Sequence, residues 1–411
     1  MQRALPASPP DSAAGSAVAR VRWGPVLALA GLHAAVSVAW VAHNLYLVEL
    51  LLRAGFDTYL ATVLLTVGGL LGGLLEPLTG ALSDRVRSGL FRRFFLVMGG
   101  VLLSALLFLV LPLAAVGARP GPATLVPGLL IVWSLSMALF RAPALSLLGR
   151  HARPGALPLA ASVLTTASAL VGVAALPARA WLLSLGSGPT FGAASAALVL
   201  GALAVRALER REPAGTEPPQ RTAPLERWQF HAALLLLGVG TVSALAFRFL
   251  VGGLPRAGAG PGASAAAITT ALFGGLALAA IPMGRMALGR VGGGPVTVTA
   301  LAVLVAGSAL ASRVEGAGAV LLVAAVLGAA LAAVQNGLFA WSLCAIRTEH
   351  AGLGVGLLLG GGGLALGAFN LLLAVRKPGP ETSLLAAAAL YAVTGALLAA
   401  LRHTVRARPA G

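Results

Sequence analysis

Cysteine is almost missing from this chain. Cys344 is the only one in 411 residues, so no intrachain disulfide and no multi-cysteine metal site can form. Charge is sparse too: 10% of residues are charged, and only 12 are acidic. Lysine is nearly absent while Arg, Ala, Gly and Pro abound, a composition associated with GC-rich bacterial genomes. No Gly-x-x-x-x-Gly-Lys-Ser/Thr loop occurs, which argues against ATP hydrolysis by this chain. No His/Cys cluster has metal-ligand spacing. An enzyme is therefore not expected, and neither is a cofactor or a metal.

What is present is apolar length. Hydrophobic residues make up 58% of the chain, and runs of roughly 20 residues or more, enough to cross a bilayer, recur throughout. They predict an all-α membrane protein of twelve transmembrane helices over 24–50, 58–83, 94–116, 124–149, 158–180, 189–208, 228–253, 264–288, 294–312, 317–346, 350–375 and 382–402. The net charge of +17 is a topology signal and not a nucleic-acid footprint. With a cytoplasmic amino terminus, 20 Arg or Lys fall on the cytoplasmic side and 7 opposite; Arg141 and Arg248 lie within helices. That bias is the positive-inside rule, and it places both termini in the cytoplasm of a multi-pass inner-membrane protein. Residues 1–20 are Pro-, Ala- and Ser-rich and lack the apolar core of a signal peptide, so they read as a flexible tail.

Residues 209–227 interrupt the apolar pattern with charge and four prolines, predicting a solvated linker. It divides the chain into six-helix bundles at 21–208 and 228–403, with a short tail at 404–411. Weak echoes link the halves: Pro77…Arg85-Val86 recurs as Pro282…Arg290-Val291, and Ser146-Leu147 as Ser342-Leu343. The 53 glycines, including the run Gly360–Gly363, suit helices that approach closely inside a bilayer.

Gly68, Gly72, Glu76 and Gly80 recur every four residues and predict one close-packing ridge on the second helix, with a carboxylate where charge is costly. That helix ends in Ser83-Asp84-Arg85, followed by a loop carrying Arg87, Arg92 and Arg93. The pattern resembles the loop between the second and third helices of major facilitator superfamily transporters. Gly80, Asp84 and Arg85 fit the first half of that family's Gly-x-x-x-Asp-Arg-x-Gly-Arg-Arg motif. The longer spacing is similar to the Ser-Asp-Arg-x-x-Ser-x-x-Gly-Arg-Arg form of the sucrose and glycoside symporters, through Ser83, Asp84, Arg85, Ser88, Arg92 and Arg93. Phe91 stands where that branch has Gly. The resemblance implies two six-helix pseudo-repeats, substrate held between them, and a cytoplasmic gate of Asp84, Arg85 and Arg92.

Polar residues within the helices mark the candidate site. His33, Ser37, Trp40 and Asn44 fall within about 60° on one face of the first helix at 100° per residue. A polar stripe through a bilayer belongs toward the protein interior or a water-filled cavity. It serves either substrate contact or interhelical hydrogen bonding. Arg141 precedes Pro143 in the fourth helix, resembling the helix-4 segment of the sucrose-type transporters, though Gly149-Arg150 stand where those carry an acid. Arg141 binds substrate, pairs with Glu76 or snorkels to headgroups. Gln335 and Asn336 in the tenth helix are candidate substrate donors and acceptors, with Arg248 and Asn370 as weaker candidates that read chiefly as structural. Glu76 is the candidate proton-coupling carboxylate, with His33 as an alternative and a permanent Glu76–Arg141 ion pair as a third reading.

These features predict a monomeric secondary transporter, coupled to protons, for a small polar solute, with a sugar or glycoside favoured. The other class is a carrier-fold protein that exports amphipathic compounds or handles lipid or pigment. The fifth helix lacks the Gly-x-x-x-Gly-Pro repeat of the superfamily's drug antiporters; only Gly172 and Pro177 echo it.

Overall fold

The computed structural model describes residues 21–85, 90–116, 124–210, 225–260, 262–288 and 294–407, and the side chains of all of these but 90–94, 116 and 210. Among the described residues, twelve helices are long and apolar enough to cross a membrane. They are α1 Trp23–Arg53, α2 Tyr59–Arg85, α3 Leu90–Val116, α4 Val126–Leu145, α5 Leu157–Ala175, α6 Ser187–Arg210, α7 Arg227–Gly258, α8 Ala265–Met286, α9 Pro295–Leu310, α10 Ala317–Cys344, α11 Ala351–Val375 and α12 Pro380–Arg406. We call the end where α1 begins and α12 finishes the proximal end, and the opposite end distal.

Local chemistry sets the breaks. After α1 the chain turns at Gly55, whose φ of 83° is open to glycine without strain. Asp57 then accepts the Tyr59 amide at 2.9 Å and the Thr58 hydroxyl at 3.1 Å, covering the start of α2. The backbone bond from Tyr59, with Thr58 adding to it, holds the Asp57 carboxyl below the usual carboxylate range. The fifth apolar run, expected to continue to residue 180, stops at Ala175. Past Pro177 a separate short helix follows, Arg179–Leu185, ended by Gly186. The last turn of α4 likewise breaks at Ser146-Leu147 before a short helix, Leu148–His151.

The helices pack in two matching sets. In the first, α1 pairs with α5 and α6, α2 with α4, and α3 with α4 and α6. In the second, α7 pairs with α11 and α12, α8 with α10, and α9 with α10 and α12. Each pairing in one set has its counterpart six helices later. Each set also surrounds an apolar core, the first extended by Ala340, Leu343 and Val355 of the second set and the second by Ala169 of the first. Ser146 and Ser342 both donate to the carbonyl three residues back, Pro143 and Phe339 respectively, so one of the sequence echoes occupies equivalent positions. The other echo runs into residues 289–293, outside the described residues.

Two helix pairs chiefly join the sets, α2 with α11 and α5 with α8, with lesser contacts of α5 with α10 and α4 with α11; the two main pairs are related by the same six-helix shift. The α2–α11 seam is made of main chain. A Cβ added at Gly69 would lie 2.9 Å from the Gly363 carbonyl, and one at Gly73 would lie 3.0 Å from that of Gly360. At Gly80 it would overlap the carbonyl of Gly352, and at Gly356 that of Glu76. Pro77 cannot donate to the carbonyl of Gly73, and Gly360 packs against that freed oxygen. Gly68 and Gly72 instead turn toward Ser134 and Ala138 of α4. The expected single ridge is therefore divided between two neighbours. Steps of four residues overrun a helical turn by about 40° each, so Gly68 and Gly80 sit roughly 120° apart.

Glycines within a set give a direct stability test. A Cβ at Gly328 of α10 would overlap the Leu272 carbonyl of α8, whereas Gly274 has nothing within 4 Å. Gly328→Val is expected to cost about 3 kcal/mol or to prevent folding, because the obstacle is backbone. Gly274→Ala is expected to leave thermal unfolding within a degree or so of wild type, or to raise it slightly. Equal melting temperatures for the two variants in detergent would contradict the packing described.

Candidate functional site

A cavity of about 710 Å³ lies between the two sets of helices. His33, Trp40 and Asn44 of α1, Glu76 of α2, Arg141 of α4 and Gln335 of α10 all line it, so six residues on four elements converge as the sequence suggests. The remaining wall is chiefly Leu, Phe, Val, Ala and Gly.

In its wall Arg141 Nη1 stands 3.0 Å from Glu76 Oε1. Glu76 is 2% exposed, and its Oε2 and the Arg141 Nε have no hydrogen-bond partner among the described residues. This is the pairing that the sequence offered as one of three roles for Arg141. A buried pair held through one oxygen is only partly satisfied, so a solute group or a proton can still compete for it.

Trp40 stands edge-on to Trp133 at 5.1 Å and to His43 at 5.5 Å. Behind it His43, Trp133, Phe108 and Phe191 form a continuous stack, with neighbouring centroids 4.3–4.5 Å apart. This aromatic wedge fixes the Trp40 ring from behind and leaves its front to the cavity. None of the stack's partners was evident from the sequence, because they come from α1, α3, α4 and α6.

Two expected contacts turn away from the cavity. The Ser37 hydroxyl donates to the His33 carbonyl at 3.0 Å, the usual outcome for a serine inside a helix, and Ser37 does not line the cavity. It lies at the edge of the four-residue arc, and its side chain is too short to reach in. Asn336 donates from Nδ2 to the Ala280 carbonyl of α8 at 2.8 Å. Consecutive helical residues point about 100° apart, so Gln335 facing the cavity sends Asn336 to the neighbouring helix. Conversely, Arg248 and Asn370, read chiefly as structural from the sequence, both line the cavity, as does Tyr391 of α12. Periodicity orders residues around one helix but does not say which azimuth meets the other half.

At the proximal end the two halves touch through Asp84, the residue assigned to the gate. Asp84, 4% exposed, accepts the Gly352 amide at Oδ1 and the Leu353 amide at Oδ2, each at 2.8 Å. These are the second and third amides of α11, which lack intrahelical acceptors. The residue before α11, His350, gives them no side-chain cap. A carboxylate from the other half takes that place and meets the positive end of the helix dipole. Arg85, also assigned to the gate, is exposed and makes no hydrogen bond or ion pair with a described residue. As the last residue of α2, it points to solvent while Asp84 points inward. The side chain of Arg92 lies outside the described residues. A further proximal cluster was not foreseen: Glu209 of α6 binds Arg150 at 3.2 Å and also His151.

No protein-family model and no curated protein matches this sequence. Its structure is similar to that of a bacterial homologue of the iron transporter ferroportin in an outward-facing state, at TM-score 0.67 and 15% identity, covering 92% of this chain and 99% of that one. The same homologue with soaked iron gives 0.65 and 15%, covering 93% and 100%. The human organic anion transporter MFSD10 (TETRAN) gives 0.64 and 17%, covering 95% and 100%. At such identities the likeness concerns the fold, and that fold is the twelve-helix major facilitator architecture.

Proposed function

We propose that this protein is a secondary transporter that moves a small polar solute across a membrane by alternating access, with protons as the coupling ion. The observation that carries the reading is the cavity. It lies between two six-helix sets and takes polar side chains from both, and at one end Asp84 ties those sets together. A site shared by two packing units changes accessibility when one rocks against the other. The family resemblance in the Ser83-Asp84-Arg85 segment favours a sugar or glycoside. Asn44, Ser134, Thr165, Ser168, Ser243 and Gln335 supply groups suited to hydroxyls. The charge bias of the sequence assigns the proximal end to the cytoplasm and the protein to an inner membrane.

Counterflow in proteoliposomes tests this directly. Vesicles loaded with an unlabelled solute should take up its radiolabelled form transiently above equilibrium, at a rate dependent on the protein. Exchange of a lysolipid or dye with no exchange of any sugar or sugar acid would remove the polar-solute reading. It would favour the handling of amphipathic compounds, for which the many Leu and Phe side chains of the wall are suited.

A further inference from the structure

The charge lining the cavity does not balance. Its one carboxylate, Glu76, is already paired with Arg141. Arg248 lines the same cavity and forms no ion pair or hydrogen bond with any described residue. Its place in the cavity wall, well inside the distal end of α7, argues against a headgroup contact. Arg256, eight residues further toward the distal end of α7, already binds the Pro378 carbonyl and the Ser383 hydroxyl there. Eight residues correspond to about 12 Å along a helix axis, beyond the reach of a side chain from position 248. An unmatched guanidinium at such depth is costly and marks a functional contact.

Two other donors of the same half accompany it. Asn370 Nδ2 and the Tyr391 hydroxyl line the cavity and lack a partner among the described residues. Phe249 packs edge-on against Phe369 at 5.2 Å. That contact places their chain neighbours, Arg248 and Asn370, at one level of α7 and α11. Donors without acceptors, around a fixed cation, form the complement of an anion. We propose that the solute is a small organic anion whose single carboxylate or equivalent group binds Arg248, with Asn370 and Tyr391 as supporting donors. This rests on the transporter reading and narrows it, from neutral sugars toward sugar acids and similar monoanions. Cations, including metal ions, are disfavoured by the same two arginines.

The test uses matched acid and neutral pairs: D-glucuronate with D-glucose, D-gluconate with D-sorbitol, and benzoate with benzyl alcohol. Thermal stabilisation of the purified full chain in detergent reports binding without requiring transport. At least one acid should stabilise the protein while its neutral partner does not. Removing one partner of a desolvated charge pair weakens binding strongly, so Arg248→Gln should weaken that acid by roughly tenfold or more, equivalent to about 1.4 kcal/mol. Arg248→Lys should restore part of the affinity. Tyr391→Phe, which leaves the cation in place, should weaken binding less and gives a second reading should Arg248→Gln fold poorly. Three outcomes overturn the proposal: no acid stabilises, a neutral partner binds equally well, or acid binding is unchanged in both Arg248→Gln and Tyr391→Phe. Counterflow separates this from the broader reading. Neutral-solute exchange that survives Arg248→Gln removes only the anion assignment, whereas acid binding without exchange of any solute removes the transporter assignment.

Discussion

Replacing Asp84 by Asn is expected to open the proximal end and to lower turnover more than ligand affinity. The carboxylate accepts two amides at 2.8 Å, one per oxygen. Asn keeps one acceptor and turns an NH2 group toward the other amide, so one charge-assisted bond is lost and two donors are set against each other. The loss should amount to about 3 kcal/mol, roughly two orders of magnitude in the ratio of closed to open forms. The protein carries its own reporter. Cys344, the single cysteine, lines a small pocket at the same end together with Asp84. Its rate of modification by a membrane-impermeant maleimide should rise sharply in Asp84→Asn and fall again when a distal-side ligand is bound. Unchanged labelling and unchanged turnover would show that the contact does not hold the end shut.

The Glu76–Arg141 pair gives the second large effect. Arg141→Met leaves a buried carboxylate with neither oxygen paired, and breaking such a pair from one side costs about 3–5 kcal/mol. Glu76→Gln/Arg141→Met removes both charges and should recover most of the lost stability, a coupling that a double-mutant cycle of melting temperatures measures. Transport distinguishes what the pair does. If Glu76 takes a proton when solute draws Arg141 away, Glu76→Gln should abolish uphill accumulation driven by a pH gradient and leave exchange intact. Loss of exchange together with folding would mean that the pair is permanent. Undisturbed proton-driven uptake would pass the role to another group, with His33 on the same cavity the first to examine.

Much of this architecture is legible in the sequence because bilayer thickness demands a long apolar run for every crossing. The apolar runs and the observed helices agree within several residues at nearly every end. The disagreement at 176–186 has a local cause, since Pro177 and Gly186 break a run whose hydropathy alone continues. The Asp84 contact was legible because this carboxylate ends a helix and belongs to the segment that carries the family resemblance. The cavity was legible only in part. His33, Trp40 and Asn44 share a narrow arc, which suffices for one helix. Ser37, at the edge of that arc, satisfies itself on its own backbone. Asn336 and Gln335 divide between two surfaces because they are neighbours in the chain. Arg248 was ranked only as a weaker candidate because nothing along α7 shows that its face meets the opposite half. That information lies in the packing of α7 against α11 and α12.

The seam between α2 and α11 carries a further consequence. Where the two backbones touch, at Gly69, Gly73, Gly80, Gly356, Gly360 and Gly363, each position already holds the smallest residue there is. Any substitution adds atoms, and none can fill a gap. Mutation along this line can therefore push the two halves in one direction only, apart. Drift in the balance between the closed and open forms is biased toward opening, and any gain for the closed form has to arise elsewhere, at side chains such as Asp84 that still have alternatives. For this chain the midline is a fixed limit, and its adjustable parts lie at the ends.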